Sequence, residues 1–400
     1  MPTTTGFRDI DNAVAIDIAT KFVTKEYLLN FYPDLVPNML TPQLFGWGGN
    51  AYGQLGVSGT GISSPVETVS RGTNWARVSG GYTHTAAIKT DGTLWTSGRN
   101  DYGQLGDGTS SSRSSPVTTS GGGTTWRQVA CGYYHSAAVK TDGTLWCWGR
   151  GGEGQVGDNT VSSRSSPVTT SGGGTTWRQV ATGFFHTLGI KTEGTLWAWG
   201  QNQFGQLGDA TVSNRSAPTQ VSGSTSLWKQ VAAGNSYTAA LKTDGTLWAC
   251  GYNKFGELGD NTSSNRSVPT QVTGAATNWK QVSCGDVNTT AIKTDGTLWS
   301  WGHNAYGDLG DNTTSSRSSP VQITGGGTNW VSSARGGFHA SAIKTDGTLW
   351  LWGRGTEGQL GDNAATNRSS PVTTIIGGNG WKQVSCGYYF TVATTESEGW

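Results

Sequence analysis

Versions of one stretch, Leu145 to Asp158 (LWCWGRGGEGQVGD), appear seven times along the chain. Its central glycine falls at Gly53, Gly103, Gly154, Gly205, Gly256, Gly307 and Gly358. The first step is 50 residues and every later one is 51. A fixed period of this length marks a repeat architecture, in which each unit buries its apolar surface against its neighbours. The period therefore overrides the two or three domains that 400 residues would otherwise suggest.

Within one copy the residues read as strands. Trp126 to Ala130 is a short β-prone run, and Cys131-Gly132-Tyr133-Tyr134 is a bend. His135 to Lys140 is a second run, and Leu145 to Gly149 a third. The Asp142-Gly143 pair between them is a strong hairpin signal, because it suits a turn whose two central residues take positive φ. Alternation places Trp146 and Trp148 on one face of the third strand. A glycine-rich loop leads to Arg164-Ser165-Ser166-Pro167-Val168, where proline predicts a sheet edge. Three inner strands and one outer strand make a four-stranded blade, and seven blades arranged radially make a propeller.

Strand-opening tryptophans stand at Trp75, Trp126, Trp177, Trp228, Trp279, Trp330 and Trp381. The LxxWG-type strands begin at Leu44, Leu94, Leu145, Leu196, Leu247, Leu298 and Leu349. The first set closes the chain and the second opens it. Residues 381–395 thus lack a following strand, and Leu44 to Gly48 lack a preceding one. Pairing the two completes a mixed blade and removes the loose edges of an open array. The predicted fold is all-β, a seven-bladed propeller over residues 44–400 behind a short extension of residues 1–43.

Gly132, His135, Ala138, Gly143, Trp148, Gly149, Gly154, Gln155 and Gly157 resemble the repeat family of the regulator of chromosome condensation. That family carries a G-x-x-H-s-x-A step, a D-G turn, an L-x-x-W-G strand and an N-x-x-G-Q-L-G loop. The resemblance spans residues 44–400 and implies a seven-bladed propeller, in agreement with the count.

Composition narrows the function classes. The chain has 62 glycines and 19 tryptophans, with only 13% charged residues, as in a turn-rich β protein. Net charge is +1 without a basic block, so no nucleic-acid surface is expected. No apolar run reaches the ~18 residues of a membrane helix. The first residues lack the basic and apolar regions of a secretory signal, so a soluble protein made without classical export is expected. Cys131, Cys147, Cys250, Cys284 and Cys386 are odd in number and form no CxxC pair, and read as free buried thiols.

The repeated polar residues read as scaffold. Asp107, Asp158, Asp209, Asp260, Asp311 and Asp362 each precede an arginine by six residues, a spacing suited to bracing a loop. Lys89, Lys140, Lys191, Lys242, Lys293 and Lys344 beside the turns read as a solvated rim. His84, His135, His186 and His339 share one repeat position filled elsewhere by Tyr237, Asn288 and Phe390. Three substitutions argue against a metal ring and for structural histidines. No G-x-S-x-G elbow, phosphate loop or close non-repeating carboxylate pair is apparent, so neither enzyme activity nor a cofactor or metal is expected.

What varies between copies is the better guide to binding. After the WG-type pair come Gly49, Arg99, Arg150, Gln201, Tyr252, His303 and Arg354. The bend before the histidine position carries Tyr133-Tyr134, Phe184-Phe185, Asp286, Phe338 or Tyr388-Tyr389, and Tyr237 occupies the histidine position itself. Variable loops of repeat proteins commonly gather on one binding face, and aromatic and arginine residues dominate hot spots. In the extension, Phe22, Tyr27, Leu28, Phe31 and Tyr32 form an apolar face that either packs across the repeats or anchors the chain to another protein. A short extension before a low-charge, near-identical repeat body looks like a phage virion appendage. In that reading residues 1–43 engage other virion proteins, and the propeller meets a host surface protein or glycan. The protein would then reside in the virion after synthesis in the host cytoplasm, with a homo-oligomer as an open option. The alternative is a cytoplasmic protein-interaction scaffold. Less favoured is the guanine-nucleotide exchange role that the resemblance implies, which would call for a distinctive loop insertion or an acidic contact set in particular blades; the even spacing shows no insertion.

Overall fold

The computed structural model describes residues 43–395, apart from 58, 60, 69–73, 224–226 and 326. The extension with Phe22, Tyr27, Leu28, Phe31 and Tyr32 lies outside the described residues, as do residues 396–400. Twenty-eight strands form seven four-stranded antiparallel sheets, and no helix occurs among the described residues. The all-β, seven-bladed architecture is the one the period implies.

The second blade shows how sequence builds each unit. Strands β7 (Trp126–Cys131), β8 (His135–Lys140), β9 (Leu145–Gly149) and β10 (Arg164–Thr169) lie side by side in chain order. Five of the six residues of β8 are buried, because this strand is covered on both faces by neighbouring blades. On β9 the register with β10 slips between the pairs Gly149–Arg164 and Cys147–Val168. Pro167 sits inside that slip on an edge strand, where its missing N–H costs no inner ladder bond.

The turn after β8 differs from the expected form. Gly143 has φ +81°, whereas Asp142 is not among the residues with positive φ. The Gly143 N–H donates to the Lys140 carbonyl at 3.0 Å, closing a turn that ends on the left-handed glycine. Asp142 Oδ1 then accepts from the Thr144 N–H at 2.9 Å and the Thr144 hydroxyl at 2.7 Å. The aspartate serves as a side-chain brace and does not need the unusual backbone.

The seventh blade joins the two ends of the repeat region. Its sheet runs β2 (Gly61–Glu67), β1 (Leu44–Gly49), β28 (Phe390–Thr395), β27 (Trp381–Cys386). Leu44 pairs with Thr394 and Gly48 with Phe390. The predicted mixed blade is present, with no loose edge facing the ring.

The core lies between blades. One cluster unites Ala137, Val139, Leu145 and Cys147 of the second blade with Trp177, Val180 and Trp199 of the third. Polar groups complete the same seam. Gln128 on the inner strand donates to the Val180 carbonyl and accepts from the Val180 N–H, both at 3.1 Å. Its amide thereby continues a β-ladder from one inner strand to the next.

Candidate functional site

Antiparallel order sends the bend between the first and second strands and the loop between the third and fourth to one end of every blade. The two sets of variable residues therefore share a face, and the turns with Lys140 and Trp146 lie on the other.

Around the axis the first residues of the bends form a collar. Tyr82 stacks on Tyr133 with centroids 3.7 Å apart and meets Tyr388 edge-on at 4.6 Å. Tyr133 approaches Phe184 at 4.6 Å, and Tyr388 approaches Phe338 at 5.7 Å. Backbone bonds link neighbouring bends, as from the Tyr82 N–H to the Gly132 carbonyl at 3.1 Å. The same bends line a cavity of about 170 Å³, whose walls include the glycines at the ends of the inner strands together with Tyr82, Phe184, Asp286 and Tyr388. The collar breaks where Asn235, Asp286 and Gly337 replace aromatic residues.

Outside the collar, the arginines after the WG-type pairs lie between rings of successive blades. The Arg99 guanidinium sits 4.9 Å from the Tyr52 centroid and 5.0 Å from that of Tyr134, with a hydrogen bond to the Tyr134 hydroxyl at 3.2 Å. Arg150 lies over Tyr102 and Phe185, and Arg354 over Tyr306 and Tyr389. In another blade His303 packs against Phe255 and Phe338. Tyr252 packs against Phe204 at 5.0 Å, and Gln201 accepts from the Gln206 amide at 3.3 Å.

The structure thus gathers Arg99, Tyr133, Tyr134, Arg150, Phe184, Phe185, Gln201, Tyr252, Asp286, His303, Phe338, Arg354, Tyr388 and Tyr389 on one face. Tyr237 is the exception. It is fully buried, and its hydroxyl donates to the Asn288 carbonyl, so it belongs to the scaffold. Sequence reasoning missed Tyr52, Tyr102, Phe204, Phe255 and Tyr306, which complete the aromatic slots. They sit inside the YGQLG motif, which reads as uniform scaffold although Glu153 and Glu357 fill the same position elsewhere.

The four repeat histidines are fully buried and structural. His135 Nε2 lies 2.9 Å from the Thr187 hydroxyl of the next blade, and His84 pairs likewise with Ser136. Burial holds all four imidazoles down at a pKa of about 3. The aspartate–arginine series braces its own loops, as in Arg113 with Asp107 at 2.9 Å. The lysines depart from a simple solvated rim. Each of the six lies 4.2–5.1 Å from the centroids of two tryptophans, as Lys140 does over Trp126 and Trp146. All five cysteines are free, and four are buried.

A second correction concerns carboxylates. Glu257 and Asp308 replace the glutamine of the loop motif, and Asp286 lies on an adjacent bend. Asp286 is 7% exposed and the other two are fully buried. Burial pushes Glu257 up to about 7 and raises Asp286 and Asp308, each within reach of another's charge. His303 Nδ1 lies 3.0 Å from Asp308 Oδ2, and Arg335 donates to the Asp308 carbonyl at 2.6 Å. No cluster of three or more His, Cys, Asp or Glu side chains able to hold a metal occurs among the described residues.

Comparison with known proteins agrees with this geometry. The chain is 32% identical over 326 residues to the ultraviolet-B receptor UVR8 of Arabidopsis thaliana, covering 80% of this chain and 74% of the receptor. It is 30% identical to the mitochondrial RCC1 domain-containing protein RUG3 of Arabidopsis thaliana, covering 84% and 83% of the two. The human ubiquitin ligase HERC2 matches at 28% identity over 89% of this chain, which spans only 8% of that enzyme. Among solved structures, human WBSCR16 superposes with a TM-score of 0.78 at 23% identity, covering 89% of this chain and 99% of that one. Prp20p of Saccharomyces cerevisiae gives 0.77 at 21% identity, covering 89% and 92%. The model of the RCC1-like domain matches residues 43–393. The chain belongs to the RCC1-like domain family.

Proposed function

We propose that this propeller is a protein-interaction module, a scaffold or regulator that binds partners through its loop face without performing chemistry. The observation that carries this reading is the aromatic collar of Tyr82, Tyr133, Phe184 and Tyr388, ringed by arginines held against tyrosine and phenylalanine. Rigid aromatics and oriented guanidinium groups are the side chains that dominate protein hot spots. The opposite face is more uniform, with its lysines clamped on tryptophans. A receptor and a ligase stand among the relatives by name, and HERC2 carries its ligase title on a chain far longer than this domain.

The virion-appendage reading draws no support from these relatives, which come from plants and animals. The interaction-scaffold reading fits them better. It is tested with the full chain as bait in an extract of the source organism. A folded variant carrying Tyr133→Ala, Tyr134→Ala, Phe184→Ala and Phe185→Ala should lose the proteins retained by the wild type. Equal retention by that variant would overturn the assignment of the loop face.

A further inference from the structure

Two successive blades of the loop face lack the arginine that three other blades hold between aromatic rings, and we propose that the cavity there receives an arginine or lysine side chain presented by a partner protein. This rests on the interaction reading above and gives the chemistry of what is bound.

The protein supplies its own precedent. Arg99 occupies the slot between Tyr52 and Tyr134, Arg150 that between Tyr102 and Phe185, and Arg354 that between Tyr306 and Tyr389. In the third and fourth blades the corresponding positions hold Gln201 and Tyr252, neither of which is basic. There the face opens into a cavity of about 340 Å³, walled by Phe185, Phe204 and Tyr252, with Gln201, Asn235 and Asp286 among its polar lining. Its lining contains no basic residue.

Charge selects the occupant. Asp286 is the one charged residue at the collar position, and its carboxylate accepts from two neutral groups, the Asn235 amide at 2.6 Å and the Tyr388 hydroxyl at 3.2 Å. Glu257, which the charge of Asp286 helps to hold above the usual carboxylate range, is buried with Oε1 lacking a hydrogen-bond partner. The basic groups nearby are engaged, His303 with Asp308 and Arg335 with the Asp308 carbonyl. An anionic ligand such as a phosphate or nucleic acid would meet uncompensated negative charge. A neutral apolar group would bury Asp286 further without pairing it, which is costly. A guanidinium or ammonium group gains both the ring faces and the carboxylate. Burial holds Asp286 above the usual carboxylate range, and an incoming cation relieves that penalty.

The test uses the full chain labelled with 3-fluorotyrosine, its Tyr252 signal assigned with Tyr252→Phe. N-acetylarginine amide and N-acetyllysine amide are titrated against the neutral isostere N-acetylcitrulline amide. The cationic probes should shift the Tyr252 signal saturably and the neutral one should not. Asp286→Asn should weaken the cationic probes at least tenfold while the chain stays folded. Should Asp286→Asn unfold the chain, Phe204→Ala at the rim is expected to give the same loss. No saturable shift, an equal shift by the citrulline probe, or full binding by both variants overturns the proposal. If the loop face still captures proteins in the bait experiment, such a result sinks the cation slot alone. If capture fails as well, the interaction reading falls with it.

Discussion

The indole N–H of Trp148 crosses a blade boundary to the backbone carbonyl of Gln104, at 2.9 Å. The same carbonyl position is met by Trp199, Trp301 and Trp352 in later blades and by Trp47 at the closing seam. Ser97 and Cys250 reach it weakly, at 3.4 and 3.7 Å. Trp148→Phe removes this bond and leaves a gap in a fully buried site. It should cost about 2–3 kcal/mol in a denaturant titration. The same change at half-buried Trp95 should cost less than half as much, because that indole stays within its own turn, on Thr93.

The lysine–tryptophan clamps predict a measurable contribution from a residue type usually written off as surface. Lys140 lies 4.7 Å from Trp126 and 4.4 Å from Trp146. Lys140→Ala should destabilise by about 1–2 kcal/mol, and Lys140→Arg should restore most of it. A loss below about 0.3 kcal/mol in both would show that the clamp is geometry without energy.

The buried histidines predict acid lability. Their folded pKa of about 3 lies below the ordinary 6.5 of a histidine, so unfolding takes up protons between these limits. Stability is complete above pH 6.5 and is lost as pH falls toward 3. Each histidine contributes up to about 1.4 kcal/mol per pH unit in that window. His135→Asn, which copies Asn288 of another blade, should lower stability at pH 7 but flatten its dependence on pH. Melting temperatures at pH 7 and pH 5 measure this, and an unchanged slope would count against it.

Glu257 predicts the opposite sign. Its folded pKa of about 7 exceeds the ordinary 4.5, so the fold favours the protonated acid, an advantage present below 4.5 and lost as pH rises through 7. Glu257→Gln restores the residue used in most other blades. It keeps an acceptor for the Phe255 N–H, as Gln206 accepts from the Phe204 N–H at 3.0 Å. The variant should be more stable by up to about 3 kcal/mol at pH 8, with little difference at pH 4. Equal melting temperatures at pH 8 would refute it.

Spacing made the architecture legible, down to the pairing of Leu44 with Thr394, because a ring of identical units leaves strand order little freedom. The shared face of the bends and loops was legible for the same reason. Side-chain environment was not. Tyr237 varies like a surface residue, yet it fills the buried histidine position. Lys140 reads as rim, because its tryptophans come from two other strands. Tyr102 was hidden inside a motif whose other members turn and pack. Of the cluster of Glu257, Asp286 and Asp308, the first and last could have been read from acids standing at a glutamine position. Recognising it needed the two kinds of bend to be brought together in space.

The seam on the seventh blade places a demand on synthesis. Gln43 and Thr395, which bond across it, stand 352 residues apart. At the usual pace of translation the first strand of the ring must wait on the order of half a minute for its neighbour. Six blades can stack as they emerge, but Leu44 to Gly49 keeps an unpaired edge until the last strand leaves the ribosome. A permuted chain opened at another interblade linker would move that waiting edge elsewhere without altering the finished ring.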